Sequence, residues 1–358
     1  MIRLATVFSG IGAPEEALKQ LDIDFEIVFA CDNGERELEK SYEEIIDDTS
    51  TMTTDERIDY VNNLYEQTGK ENLVRVSYFA NHPIAEDKWY EDVRFIDGTR
   101  YKGQVDILVG GSPCQSFSTY GKKKGFEDTR GTLFFHYADL IDKIRPKVFI
   151  YENVLGLKTH DNGKTWRRIN EVFSELEYTT YVFELNAKDY GLPQIRKRIF
   201  VIGFQNELNI TNFEEPEHEE LTSKASDYYS SDIPELYYLG RKGFEWVTMP
   251  EKHQGRSRVN RDIIGCQTAN QQFNWTGDFV LESPKENYRN NDRIYIGEYQ
   301  GQEKVARKLT PEECLRLMGF VDFNIVVDDK NAYRQSGNSI AVPVLKALFK
   351  QIFKYISF

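Results

Sequence analysis

Short, mostly apolar runs alternate with amphipathic segments from the first residues to about Phe204, and few folds accept that order. Ile2–Phe8 reads as a buried strand, Pro14–Leu21 as a helix with proline in its first turn, and Phe25–Ala30 as a second strand. Gly34–Ile46 reads as a charged, amphipathic helix. A polar, less regular stretch from about Asp47 to Asp87 follows, with a helical patch at Glu56–Tyr65. Regular order then returns as a strand at Val105–Val109, a helix at Thr132–Ile144 and a strand at Val148–Tyr151. A helix at Trp166–Leu176 and strands at Thr180–Leu185 and Arg198–Phe204 complete it. Strands and helices in this succession predict an α/β fold, a mostly parallel doubly wound sheet. Ligands in such sheets bind outside the carboxyl ends of the strands.

At 358 residues the chain exceeds the usual limit of one hydrophobic core, which predicts two domains. From Gln205 to Lys304 the periodicity weakens and polar, glycine-containing stretches dominate. Helical patterns return at Pro311–Met318 and Ile340–Tyr355. The expected division is a larger domain over 1–204, with an insertion near 37–87, completed by 333–358; a smaller domain takes 205–332.

The apolar fraction of 40% and charged fraction of 29% suit a globular chain and exclude a disordered or fibrous one. No apolar run approaches the ~20 residues that span a bilayer, and the N-terminus lacks a signal-peptide core, so no membrane partner and a cytoplasmic location are expected. The four cysteines are scattered and none forms a C-x-x-C pair, which predicts neither a zinc site nor a disulfide framework. A net charge of −13 argues against nucleic acid at first sight. Its distribution answers this: residues 21–60 hold 14 acidic and 3 basic side chains, and residues 204–240 hold 9 and 1, so the remainder is net positive. The acidic stretches read as solvated surface.

Phe8-Ser9-Gly10-Ile11-Gly12 lies between a strand and a helix, where glycines let the backbone approach a ligand. It is shorter than G-x-G-x-x-G, so phosphate binding does not follow. Asp32 ends the second strand, where an acid accepts from ribose hydroxyls. The pair points to an adenosine-containing cofactor, against the plainer reading of a tight turn and a surface acid. Gly110-Gly111-Ser112-Pro113-Cys114-Gln115 is more informative. A cysteine sits just past a strand end, with Lys122, Lys123 and Lys124 following to lower a thiol pKa or meet phosphate. Glu152 ends the next strand on the same rim and is positioned to protonate a ring nitrogen, though such acids are often only solvated. Gln194, Arg196 and Arg198 are spaced by two and share one face if extended, either for an anionic ligand or as a charged edge.

These motifs, in this order, resemble the bacterial cytosine-5 DNA methyltransferases. Arg130-Gly131-Thr132-Leu133-Phe134-Phe135, Arg307-Lys308-Leu309-Thr310-Pro311-Glu312-Glu313-Cys314 and Gln335-Ser336-Gly337-Asn338-Ser339 extend the match over about residues 1–36, 88–204 and 305–358. The resemblance implies a Rossmann-like S-adenosylmethionine-dependent catalytic domain and a smaller target-recognition domain. It assigns Cys114 as nucleophile toward carbon 6 of a flipped cytosine, Glu152 to ring nitrogen 3 and the exocyclic amine, Arg198 to the base carbonyl and Arg196 to loop support. Phe8, Gly10, Gly12, Asp32, Asp92, Asn338 and Ser339 are its cofactor residues. Gln115, Ser118, Lys122, Gln194, Arg256, Arg258 and Thr268 are candidate DNA contacts. It further implies double-stranded DNA as substrate and pairing with a cognate restriction endonuclease; a monomer is expected because a base flipped from one strand requires no two-fold symmetry. A transfer-RNA methyltransferase carries Cys-Phe-Thr where this chain has Cys266-Gln267-Thr268. A DNA-binding module without chemistry leaves Cys114, Glu152 and Arg198 unexplained, and a dinucleotide oxidoreductase leaves Pro113-Cys114-Gln115 unexplained.

Overall fold

The computed structural model describes residues 1–113, 133–272 and 275–358. They form two compact units: 1–185 with 197–217 and 345–358, and 186–196 with 218–344.

The first unit is built on a seven-stranded sheet. Its strands are β1 (Ile2–Val7), β2 (Phe25–Cys31), β3 (Trp89–Tyr90), β4 (Ile107–Gly110), β5 (Val148–Val154), β6 (Tyr178–Asn186) and β7 (Lys197–Gln205), in the order β3-β2-β1-β4-β5-β7-β6. β1 to β5 pair in parallel, and β7 runs antiparallel to β5. The chain winds outward one way from β1 and the other way from β4, so the switch point lies between them. Continuous apolar runs suit strands covered on both faces. Val7, Leu108, Phe149 and Tyr151 pack in one cluster with residues of α5 (Leu133–Ile144) and α6 (Lys164–Glu175). Leu4, Ile107, Ile150 and Ile202, which alternate with them, are buried too.

The chain between β2 and β3 holds three helices. They follow α1 (Ala13–Gln20) as α2 (Tyr42–Asp48), α3 (Thr54–Gln67) and α4 (Leu73–Asn81). The helix expected over 34–46 starts only at Tyr42, because Ser41 and Glu44 form a capping box there. Thr53 and Glu56 cap α3 in the same way, and the Asn72 side chain caps α4.

The second unit contains a four-stranded sheet that the sequence pattern did not announce. It comprises β8 (Ser257–Val259), β9 (Gly277–Glu282), β10 (Ile296–Tyr299) and β11 (Gln302–Lys308), ordered β10-β11-β9-β8. Helices α7 (Arg241–Thr248), α8 (Pro250–His253), α9 (Pro311–Arg316) and α10 (Asp329–Asn338) complete it, and α11 (Val342–Tyr355) continues into the first unit's residues. The motif opening at Arg307 is a scaffold. Arg307 is 1% exposed and donates to both oxygens of the fully buried Glu313 at 2.9 and 3.1 Å. Glu313 also closes the capping box of α9 with Thr310.

The division departs from the expected boundaries at both ends of the second unit. Arg196 explains the departure. Its buried guanidinium donates to the carbonyls of Gln267, Gly337 and Ser339 at 2.8, 3.0 and 2.5 Å, so 186–196 packs with that unit.

Candidate active site

The loops after β1, β2, β4 and β5 leave the carboxyl edge of the first unit's sheet. After β1 the chain turns sharply through positive φ at Phe8, Gly10 and Gly12. Ser9 ties this turn to the end of β2: its N–H donates to the Cys31 carbonyl at 3.0 Å, and its Oγ accepts from Cys31 N–H at 3.0 Å. Gly12 has φ +81 and lies directly against the His82 ring, so any Cβ there would overlap it. Gly10 has no heavy atom within 4 Å of the position its Cβ would take, which leaves a cradle open to a ligand.

Asp32 links the two loops. Its Oδ2 accepts from Gly10 N–H and its Oδ1 from Gly34 N–H, each at 2.9 Å. Burial raises the Asp32 pKa, and those two backbone donors oppose the rise. One bond to each oxygen leaves lone pairs for two hydroxyls. Asp92 is differently placed. Arg94 grips both its oxygens, with Nη2 at 2.6 Å, and Tyr65 OH donates to Oδ2 at 2.8 Å. An adenine amine reaches this carboxylate only if one of those donors moves.

The other half of the rim starts at β4. Asn153 Nδ2 donates to the Ser112 carbonyl and to Tyr151 OH at 2.9 Å each, and Ser112 Oγ lies 3.0 Å from Tyr151 OH. Ser112, Tyr151 and Asn153 are all buried, so they fix where the chain leaves β4. Gly111 sits against the next strand: a Cβ there would lie 2.7 Å from the Glu152 carbonyl oxygen and 3.1 Å from Glu152 Oε2. Glu152 Oε1 meets Arg198 Nε at 3.1 Å, an ion pair in which both side chains are about 15% exposed. The antiparallel register of β7, with Arg198 opposite Val154, brings that guanidinium to the rim. A carboxyl group beside a guanidinium at the edge of a strand-end loop can accept from the amine of a heterocycle and, when protonated, donate to its ring nitrogen.

Cys114, Gln115, Ser118 and Lys122 lie outside the described residues. Of the other cysteines, Cys31 and Cys314 are buried, and burial pushes their thiols far up. Such thiols are poor nucleophiles. Cys266 is exposed, in the second unit.

Gln194 corrects an expectation. It was read as facing DNA, but it is fully buried in the second unit. Its Nε2 donates to the Leu317 carbonyl at 2.6 Å and its Oε1 accepts from Gln267 N–H at 3.1 Å. Gln194 and Arg196 therefore serve the second unit's interior, whereas Arg198 belongs to β7 of the first. Also in the second unit, Arg256, Arg258 and Thr268 are exposed, and Arg258 lies 3.7 Å from the buried Asp278 carboxylate. Asn338 is exposed and Ser339 buried at the end of α10.

Sequence reasoning missed the partners on the stretch between β2 and β3. Asn72 Nδ2 donates to the Asp32 carbonyl at 2.7 Å, Tyr78 OH to Glu15 Oε1 at 2.6 Å, and His82 Nε2 lies 3.0 Å from the Ile11 carbonyl. The available signal was Asn72 ahead of an apolar run, a helix-capping pattern.

Residues 61–354 match the family model described as C-5 cytosine-specific DNA methylase. The chain is 37% identical over 254 residues to the Type II methyltransferase M1.ScrFI of Lactococcus lactis subsp. cremoris, covering 70% of this chain and 63% of that protein. It is 36% identical over 255 residues to the Type II methyltransferase M.HhaI of Haemophilus parahaemolyticus, covering 71% and 77%. The crystal structure of a Spodoptera frugiperda DNMT2 mutant superposes with a TM-score of 0.68 at 19% identity, over 99% of this chain and 100% of that one, a likeness of fold.

Proposed function

Because the chain belongs to the C-5 cytosine-specific DNA methylase family, we propose that it moves a methyl group from S-adenosylmethionine to carbon 5 of a flipped cytosine in double-stranded DNA. The observation that carries this reading is the Glu152–Arg198 pair, packed against Gly111 on the strand-end loop that leads to Cys114.

The cofactor's fit rests on the open cradle at Gly10 and on the Asp32 carboxylate, whose spare lone pairs suit ribose hydroxyls. Phe8, Gly10, Gly12 and Asp32 would hold it, with Asn338 and Ser339 assigned by family likeness. When bound, S-adenosylmethionine supplies an electrophilic methyl group. The chain's own residues activate the base. The Cys114 thiolate forms a bond to carbon 6, while Glu152, bound in its carboxylic-acid form, accepts from the exocyclic amine and gives its proton to ring nitrogen 3. Arg198 binds the base carbonyl, where negative charge builds. Addition at carbon 6 turns carbon 5, a poor nucleophile, into an enamine carbon able to accept a methyl group. Loss of the carbon 5 proton to a base, expulsion of the thiolate and return of the nitrogen 3 proton to Glu152 then restore the ring, Cys114 and the acid. The base must leave the duplex first, at about a few kcal/mol of unstacking.

In this reading the second unit selects the target sequence, with the exposed Arg256, Arg258 and Thr268 among its DNA contacts. Gln115, Ser118 and Lys122 belong to the segment that meets DNA beside Cys114. The enzyme acts as a monomer in the cytoplasm and protects host DNA from a cognate restriction endonuclease.

The test is duplex DNA carrying 5-fluorocytosine in random contexts, incubated with S-adenosylmethionine. Fluorine at carbon 5 blocks the final elimination, so a denaturation-resistant adduct at Cys114 is expected, and sequencing the trapped DNA gives the target. An adduct on RNA alone, or none on DNA, overturns the proposal.

A further inference from the structure

Helix α4 touches both loops assigned to the cofactor from its two ends, and helix α1 from its middle. At its N-terminus, the Asn72 side chain does two jobs. Its Oδ1 caps the helix by accepting from Arg75 N–H at 3.0 Å, and its Nδ2 donates to the Asp32 carbonyl and to Glu91 Oε2, each at 2.7 Å. At its C-terminus, His82 makes its 3.0 Å contact with the Ile11 carbonyl and fills the space against Gly12. Between them, Tyr78 reaches Glu15, which also accepts from Thr6 Oγ1 at 3.0 Å; Thr6 Oγ1 in turn lies 2.8 Å from Ser9 Oγ inside the glycine turn. Asn72, Tyr78 and His82 are all buried. None of the three lies among the residues assigned to the cofactor itself.

Two polar contacts to two separate loops, and a third to Glu15 on α1 next to one of them, do more than fill space. The glycine turn carries positive φ at three of its five residues, two of them glycines that adopt it freely and one, Phe8, that does not. Asp32 presents its carboxylate correctly only while its own backbone stays fixed. A bonded carbonyl at Asp32 and another at Ile11 hold both.

We propose that α4 is a positioning brace: Asn72 and His82 preset the Asp32 and glycine loops and thereby set the affinity for S-adenosylmethionine. This rests on the functional reading above. Asn72 is a positioning residue with a separable second role, because serine caps a helix as well as asparagine does but is too short to reach Asp32. Asn72→Ser therefore removes the brace, together with the bond to Glu91, and keeps the cap. His82→Leu removes the contact to Ile11, and His82→Gln restores a side-chain amide able to donate to it.

Titration calorimetry of the full chain with S-adenosylmethionine, without DNA, reads the effect directly. Asn72→Ser and His82→Leu are each expected to weaken binding by about fivefold to tenfold, the scale of one buried hydrogen bond. His82→Gln is expected to recover most of it. In steady-state assays the same variants should raise KM for the cofactor and leave kcat within about twofold, since binding common to ground and transition states is what is lost. Wild-type affinity in well-folded Asn72→Ser and His82→Leu overturns the brace. Equal weakening in His82→Leu and His82→Gln overturns it too. A wild-type chain that binds no S-adenosylmethionine overturns the underlying reading instead, so the two failures are distinguishable.

Discussion

Replacing Gly111 by alanine adds one methyl group at the place where β4 hands the chain to Pro113 and Cys114. That carbon would start 2.7 Å from the Glu152 carbonyl oxygen and 3.1 Å from Glu152 Oε2. Contacts of this type relax only well beyond 3 Å, so the two segments must part by about half an ångström or more. The near neighbour is strand backbone, held by its register with β4 and β7, and does not swing away as a side chain would. The movement is therefore shared by the loop, which the Ser112–Tyr151–Asn153 network otherwise fixes. A misplacement of ~1 Å at a reacting group is worth about a hundredfold in rate, so half of that predicts roughly a tenfold loss. Overpacking should also lower stability by about 1–3 kcal/mol. The assay is single-turnover transfer of tritiated methyl groups from S-adenosylmethionine to duplex DNA at saturating concentrations, with cofactor affinity measured alongside. A slower rate with unchanged cofactor affinity is expected, because the three atoms nearest the added carbon all belong to Glu152. A rate within about twofold of the wild type, in a protein of unchanged melting temperature, would refute the claim that Gly111 sets the spacing between the nucleophile's loop and Glu152.

Glu152→Gln should slow methyl transfer by about a hundredfold or more while leaving S-adenosylmethionine affinity intact, as single-turnover rates and calorimetry would show. Arg307→Met should destabilise the protein by about 3–5 kcal/mol in urea melts, because Glu313 stays buried without its partner. Burial pushes the His136 pKa down to about 4 from an ordinary 6.5, so folding favours the neutral ring. That contribution is complete above pH 6.5 and is lost as pH falls from there toward 4, about 3 kcal/mol in all. The urea midpoint should drop over that interval, and His136→Gln should flatten the drop.

What the residues specified by themselves is local or strictly periodic. The alternating runs marked six of the sheet's seven strands, five of them within two residues, since a strand buried on both faces needs an unbroken apolar sequence; β5 runs three residues further than expected, and the two-residue β3 was missed. The strand-end glycines, Asp32, Glu152 and the Pro113–Cys114 step stood out because the carboxyl edge of such a sheet is where ligands bind. Capping boxes at Ser41 and Thr53 were equally legible in principle, although the charged run from Gly34 disguised the start of α2.

Long-range packing decided the rest. Spacing by two put Gln194, Arg196 and Arg198 on one face, but the first two turn into the second unit, because the carbonyls of Leu317, Gln267, Gly337 and Ser339 need buried donors. The four-stranded sheet draws its strands from sequence too polar to show a period of two. Helix α4 looked like part of an insertion until Asn72, Tyr78 and His82 met partners 40, 63 and 71 residues away. A side chain's local pattern shows which element it belongs to. Which backbone group it satisfies is settled only when distant segments are buried together, because only then does an unpaired donor or acceptor become expensive.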